Sequence, residues 1–372
     1  MKFRFNKKRA ILAGAELLCF AGYFILRHIG ASQAAELSWN TAAERWKGSS
    51  DVPYAQISCF IPEKSEFTTD KLGSLRGGVL DSLKTVSIMP KEGQKLCPDA
   101  YSAPAGQAEI TGSSVSTITA DLTAVGGDFF LIHDFKLLDG AFFSEDDIMQ
   151  DGAVIDRELA WSIYGSDQAA GMDIRINGVK FYVSGVIQTP QNEEERDCAG
   201  EQPRVYLSYD GVSAVMPPSE DGTPAKFKTI TSYEIVMPDP VDSYARQSVE
   251  MLMAGFNDTE VICNTGRFGF SKRLSALNEI SHSVVKDSSV VYPYWENASG
   301  IVEFRLSYIY LCAALCLTLP ILTAVWLAIR GIKLLRRNKK YIFTSAAGLL
   351  KKAYIKLRTL FSGMMRRLRK SE

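Results

Sequence analysis

Val125–Ile187 reads VGGDFFLIHDFKLLDGAFFSEDDIMQDGAVIDRELAWSIYGSDQAAGMDIRINGVKFYVSGVI. Its punctuation decides the fold. Gly140, Gly165 and Gly171 stand where the chain must turn, two of them directly after apolar runs. Asn177-Gly178 lies between two alternating segments, the sequence signal of a type I′ hairpin. Ala153–Ile155 reads as a strand, and Glu158-Leu159-Ala160 opens a short helix that ends at Tyr164-Gly165. Leu159, Ile163 and Tyr164 give that helix one apolar face. The passage is a scaffold of turns, a hairpin and packing residues, and it contains no catalytic set.

Upstream, Tyr54–Ile61 alternates and predicts a strand. Thr68 or Thr69 is placed to cap a helix over Lys71–Lys84, whose Leu72, Leu75, Val79 and Leu83 recur at helical spacing. A strand is expected at Thr85–Met89. Lys91–Gln107, with Gly93, Pro98, Pro104 and Gly106, reads as a loop, followed by short strands near Ala108–Thr111 and Val115–Ala120. Downstream, Glu193–Glu195 and Pro217–Pro224 mark exposed loops, the first a solvated acidic run. Arg204–Ser208 and Thr229–Met237 read as strands, and Val241–Ala254 and Ser271–Val285 as helices. The expected fold class is α+β, a mixed α/β extracytoplasmic domain of two lobes, set between two transmembrane helices.

Those helices come from the ends of the chain. Leu306–Ile329 is 24 residues with no charged side chain, and crossing the apolar bilayer core takes roughly 20. Ala10–Leu26 is 17 residues and carries Glu16. A carboxyl inside a span faces a partner helix or a water-filled space, unless it is protonated or shallow enough to reach the head groups. Lys2, Arg4, Lys7, Lys8 and Arg9 precede the first span, and fourteen Lys or Arg with one acid follow the second. Basic flanks stay inside, so both termini are expected in the cytosol of a plasma-membrane protein. The first segment also has a small-residue cleavage site, Ser32-Gln33-Ala34, though Arg27 and His28 before it argue for a retained anchor. The overall charge of zero hides an acidic middle: Arg27–Arg305 holds 23 basic and 40 acidic residues, a net charge of −17. Nucleic acid is therefore excluded as its partner.

Organisation follows as a cytosolic N-terminus (1–9), transmembrane helix 1 (10–29), a linker (30–50) with Trp39 and Trp46, an extracytoplasmic domain (51–291), a juxtamembrane segment (292–305), transmembrane helix 2 (306–329) and a basic amphipathic tail (330–372). The aromatics of Tyr292-Pro293-Tyr294-Trp295 suit a membrane interface. In the tail, Lys351, Lys352, Lys356, Arg358, Arg366 and Arg367 flank apolar residues at steps of three or four. Such a helix lies on an anionic inner leaflet or grips a cytosolic partner.

Cys19, Cys312 and Cys316 lie in the spans. Cys59, Cys97, Cys198 and Cys263 are all in the exported domain, an even number compatible with two disulfides in any of three pairings. None of the histidines (His28, His133, His282) is at ligand spacing to a cysteine or to another histidine, and no metal or cofactor is expected. His133 and His282 also lie outside any G-x-S-x-G context, so a hydrolase is disfavoured.

Val125–Ile187 resembles the MacB-like periplasmic core domains of FtsX-like and MacB-like ABC permeases. The likeness rests on Asp128-Phe129-Phe130 before Leu137-Leu138-Asp139-Gly140, on Phe142-Phe143, on Leu159-Ala160 with Tyr164-Gly165, and on Gly171, Asn177-Gly178 and Val183-Ser184-Gly185-Val186. Ala141 and Met172 stand where the family usually has Arg and Lys. The weaker likeness extends over Tyr54–Pro238. The family's permeases have four spans, whereas this sequence has two, and it has no G-x-x-x-x-G-K-[ST] phosphate loop. The resemblance implies a non-catalytic membrane subunit, with a separate ABC ATPase and further membrane subunits as partners. Its helices would carry motion to an ectodomain that binds a partner or export substrate. The alternative is a stand-alone, membrane-anchored surface receptor or interaction protein on the same scaffold.

Overall fold

In a computed structural model of the chain, residues 7–48, 50–90, 93–112, 117–190, 192–218, 221–283 and 289–337 are described. Helix α1 (Lys7–Ala35) leads through a 3-10 turn (Ser38–Thr41) into the short helix α2 (Ala42–Lys47), strand β1 (Tyr54–Phe60) and helix α3 (Leu72–Thr85). Next come the antiparallel pair β2 (Asp99–Thr111) and β3 (Ile118–Gly127), then α4 (Phe129–His133) and β4 (Leu137–Gly140). β5 (Gly152–Asp156), α5 (Arg157–Tyr164) and the hairpin of β6 (Asp173–Ile176) with β7 (Val179–Ile187) follow. After them are α6 (Glu193–Ala199), β8 (Arg204–Ser208), α7 (Tyr209–Val215), β9 (Ser232–Pro238), α8 (Tyr244–Met253), β10 (Glu260–Cys263) and α9 (Phe270–Ser283). Helices α10 (Tyr294–Cys316) and α11 (Thr318–Arg337) complete the described chain.

His28–Tyr310 forms one compact unit, built on a ten-stranded sheet in the order β10-β1-β9-β2-β3-β8-β5-β7-β4. The β3–β8 and β5–β7 pairs are parallel and the others antiparallel. β6 bonds both β7 and the far end of β2, so the pairing returns on itself through β2-β3-β8-β5-β7-β6. β2 thus belongs both to the open part of the sheet, through β9, and to this circuit, so the two lobes expected from sequence share one sheet.

The hairpin forms as read. Asn177 and Gly178 both have positive φ (49° and 82°), the geometry a type I′ turn requires. Asp156 caps α5 by accepting the Leu159 amide at 2.9 Å, and Gly165 ends it in the left-handed region. Four local expectations fail. Thr85–Met89 is not a strand: the amides of Val86, Ser87 and Ile88 turn back onto Leu83 and Lys84 and close α3. The loop expected over Lys91–Gln107 is strand from Asp99 onward, because Pro104 and Gly106 fall in a β-bulge that tolerates both. Glu193–Glu195 opens α6 and is not a loop; Asn192 caps the helix through the Glu195 amide, and Glu193 stays exposed while Glu195 is buried. Neither Thr68 nor Thr69 caps α3 through its side chain; Thr69 begins a 3-10 turn ahead of it.

Apolar layers cover both faces of the sheet. Ile57, Cys59, Tyr233, Ile235 and Met237 point into one, beneath Leu75, Val79 and Leu83 of α3 and Val249 of α8. The other face receives Trp39, Ala42, Phe129, Ile132 and, from α10, Trp295, Val302, Leu306 and Tyr310. Those four recur at helical spacing along one stripe, and each buried large side chain contributes about 1.5–3 kcal/mol.

The second unit comprises Met1–Arg27 and Leu311–Glu372, of which 7–27 and 311–337 are described. Its two helices are long and apolar enough to cross a bilayer. Gly22 faces Cys316, whose Sγ would lie 3.4 Å from an added Cβ. Small residues allow such an approach between spans. α10 and α11 are separated at Leu317; Pro320, in the first turn of α11, has no amide to donate to the Cys316 carbonyl.

Candidate coupling junction

Strand alternation builds the junction. On β1, Ala55, Ile57 and Cys59 point into the first layer, so Gln56 and Ser58 point to the face that α10 covers. On β9, Glu234 is placed by the same rule between Tyr233 and Ile235. All three polar side chains are buried, and buried polar groups must find partners. Gln56 donates from Nε2 to the Trp39 carbonyl (2.7 Å) and accepts the Ala42 amide (3.0 Å), which pins the segment leaving α1 to β1. Ser58 Oγ donates to Glu234 Oε1 (2.7 Å) and accepts from Asn264 Nδ2 (2.8 Å). The other Glu234 oxygen pairs with the imidazole of His133 on α4.

From Asn264 the network reaches α10. Arg267 Nη1 donates to Asn264 Oδ1 (3.3 Å), while its fork grips Glu296 at 2.9 and 2.7 Å. Nε and Nη2 both donate to Glu303 Oε2, at 2.9 and 2.7 Å, and Arg273 pairs with the other oxygen of Glu303. One turn along α10, Ser299 Oγ accepts from Trp39 Nε1 (3.2 Å) and Asn40 Nδ2 (3.0 Å). The segments that continue from α1 and into α10 are thus tied to each other and to strands β1 and β9.

Burial would push Glu234 up, but His133 and Ser58 outweigh it and hold the carboxyl below its ordinary value. Glu296 behaves oppositely: burial raises it further than Arg267 lowers it, and Glu303 and Glu234 add to the rise. Arg267 is disfavoured by burial yet held as a cation by Glu296 and Glu303. Such a buried set adds little net stability over an apolar substitute, but removing one member is costly. It fixes one arrangement of helix against sheet.

The family-motif residues lie in the scaffold around this junction. Phe129 and Phe130 pack in the second layer, with Phe130 stacked on Phe142 at 4.5 Å and edge-on to Phe143 at 5.2 Å. Leu159, Ala160, Val183 and Val186 are in the first layer, with Leu138 and Tyr164 packed against it. Gly140 (φ 77°) and Gly185 lie opposite each other on β4 and β7; an added Cβ would sit 2.2 Å from the Ser184 carbonyl at Gly140 and 2.8 Å from the Ala141 carbonyl at Gly185. Gly171 (φ 80°) has open space about it.

The aromatics expected at a membrane interface serve the docking of α10. Trp295 is buried against His133 and Phe129, with ring centroids at 4.7 and 5.9 Å. The four exported cysteines are free. Cys59 and Cys263 are on neighbouring strands but two residues out of register (Cys59 opposite Val261, Cys263 opposite Ile57), a diagonal of roughly 7–8 Å that a disulfide does not bridge. Glu16 is half-buried on α1, on a stripe with Ala15, Cys19 and Gly22. Lys351, Lys352, Lys356, Arg358, Arg366 and Arg367 lie outside the described residues.

A mixed sheet with helices on both faces, continued at each end into an apolar helix, defines a membrane protein with an extracytoplasmic domain. Residues 73–247 match the family model of the MacB-like periplasmic core domain. Over 98 residues, 26% of this chain, it is 29% identical to the macrolide export ATP-binding/permease protein MacB of Pasteurella multocida (strain Pm70), and the match spans 14% of that protein's length. Among solved structures, it is similar to the periplasmic region of MacB from Actinobacillus actinomycetemcomitans (18% identity, TM-score 0.37, 62% of this chain and 94% of that one). It is also similar to the extracellular domain of the noncanonic ABC-type transporter YknZ from Gram-positive bacteria (13% identity, TM-score 0.38, 56% of this chain and 99% of that one).

Proposed function

We propose that the chain is a non-catalytic membrane subunit of a MacB/FtsX-type ABC system, whose two helices pass motion between a separate ATPase and a ligand-binding ectodomain. The observation that carries this reading is the Arg267 cluster. α10 runs unbroken from Tyr294 to Cys316, and its first turns are locked by Glu296, Ser299 and Glu303 to the Asn264–Arg267 segment and the segment after α1, and through Asn264 to Ser58 of β1. A helix held by buried charge cannot shift without moving the strands it grips. On this reading the basic ends are cytosolic. Glu16 contacts a further membrane helix, and the tail residues Lys351, Lys352, Lys356, Arg358, Arg366 and Arg367 meet the inner leaflet or the ATPase.

The test is recovery of the full chain from membranes in mild detergent after crosslinking from Glu16 and from the tail. An ABC ATPase and other membrane subunits should be captured. A chain recovered without any ATPase, and still active when both spans are exchanged for unrelated ones, is a stand-alone receptor and sinks the proposal.

A further inference from the structure

A cavity of about 450 Å³ opens beside the junction and is lined by both segments that lead to the spans. Trp39, Phe135, Tyr294 and Trp295 form its walls, and Glu36 and Glu195 supply carboxylates. Its volume lies in the range of small-molecule sites. Glu195 is buried, and among the described residues its side chain bonds Asn192, a neutral amide. The nearby cations are committed elsewhere or lie at the surface. Arg204 donates to the Ala199 carbonyl and lies 4.8 Å from the Tyr294 ring centre, Arg305 pairs with Glu194, Arg45 pairs with Asp134, and Lys136 is exposed on the lining. Aromatic walls with a desolvated carboxylate attract an organic cation through the ring quadrupoles and by direct charge pairing.

We propose that this cavity binds an alkylammonium group, such as a primary or quaternary amine, with Glu195 as its counter-ion and the aromatic walls around its methylenes. The inference deepens the proposed ligand-binding role of the ectodomain by naming a ligand chemistry. It needs no ATPase, so it can fail or stand independently of the assembly. Burial, with Glu194 and Glu36 nearby, raises Glu195 to about 7 against the pull of Asn192. His133, Asp134 and Lys136 from α4 and the chain after it, Tyr294 from α10 and Arg204 from β8 complete its charged and titratable surroundings. Ligand binding therefore strengthens as pH rises through that value.

The experiment is equilibrium dialysis of radiolabelled ethanolamine against the full chain in phosphatidylglycerol nanodiscs, at fixed ionic strength with sodium as the competing ion. Saturable binding is expected in the millimolar range or below, tighter at pH 8 than at pH 6. Glu195→Gln should weaken it about tenfold or more, and Glu36→Gln, at an exposed position, should weaken it less. Discs containing phosphatidylethanolamine separate the two sources. Free ethanolamine is excluded if the lipid head group fills the site and binds unchanged if only soluble amines reach it; either result supports the site. No saturable binding in phosphatidylglycerol discs, or equal binding by the folded Glu195→Gln and Glu36→Gln variants and the parent, overturns it.

Discussion

Arg267 and Glu296 face each other through two hydrogen bonds of 2.7 and 2.9 Å, with their side chains only 6% and 8% exposed. Arg267→Ala removes the cation that both Glu296 and Glu303 share and should cost roughly 3–5 kcal/mol, because two carboxylates lose their principal neutralising partner. Arg267→Met with Glu296→Met should recover most of that loss, since Glu303 keeps Arg273. Thermal unfolding of the full chain in detergent would show it. A single variant as stable as the parent would mean that the cluster is solvated.

Ser58 serves Glu234 in the same network, by a 2.7 Å bond from its hydroxyl. Glu234 titrates below its ordinary value in the fold, so its contribution is complete above the unfolded value and is lost as pH falls through the folded one. Ser58→Ala removes one cause of the depression. It should cost about 1.5–3 kcal/mol, the range for a bond to a charged group, and acid unfolding should begin at a higher pH. A midpoint-against-pH curve merely displaced parallel to that of the parent contradicts the assignment.

What the sequence revealed and what it concealed divide along physical lines. Local signals were legible: Asn177-Gly178 names its own turn, and Arg204–Ser208 is the strand it reads as. So were the apolar ends, which need only length and composition. Signals whose meaning depends on a distant partner were not. Pro104 and Gly106 look like a loop unless a facing strand shows the bulge. Glu193–Glu195 looks like solvated charge, and only the packed fold shows that Glu195 is buried beside a cavity it shares with Glu36 and Tyr294. Arg267, Glu296 and Ser58 belong to segments far apart in the chain, and only Glu234, a lone acid within the apolar run Tyr233–Met237, hinted at a buried partner.

Gly140 and Gly178 share a left-handed conformation but not a setting. At Gly140 an added Cβ would meet the Ser184 carbonyl at 2.2 Å, and at Gly178 it would meet nothing within 4 Å. Gly178→Ala should therefore cost only the conformational penalty, roughly 1–2 kcal/mol. Gly140→Ala should cost more, because β4 must also part from β7. Equal losses in chemical unfolding would show that the β4 edge yields freely.

Two buried acids should make the domain more stable in mild acid than in mild base. Burial raises Asp156 to about 6, against the Leu159 and Arg204 amides that it accepts, and raises Glu195 to about 7. Each folded-state value lies above its unfolded one, near 4. Between those values the folded chain holds a proton that the unfolded chain has released, so stability falls as pH rises through the window. The loss is complete by about pH 8 and is on the order of 3 kcal/mol for each group. Glu195→Gln keeps an oxygen for the Asn192 amide but has no charge to desolvate. Its unfolding midpoint should match the parent's near pH 4, below the Glu195 window, and exceed it at pH 8. Two curves that stay parallel across that range would mean that water already reaches the Glu195 carboxylate.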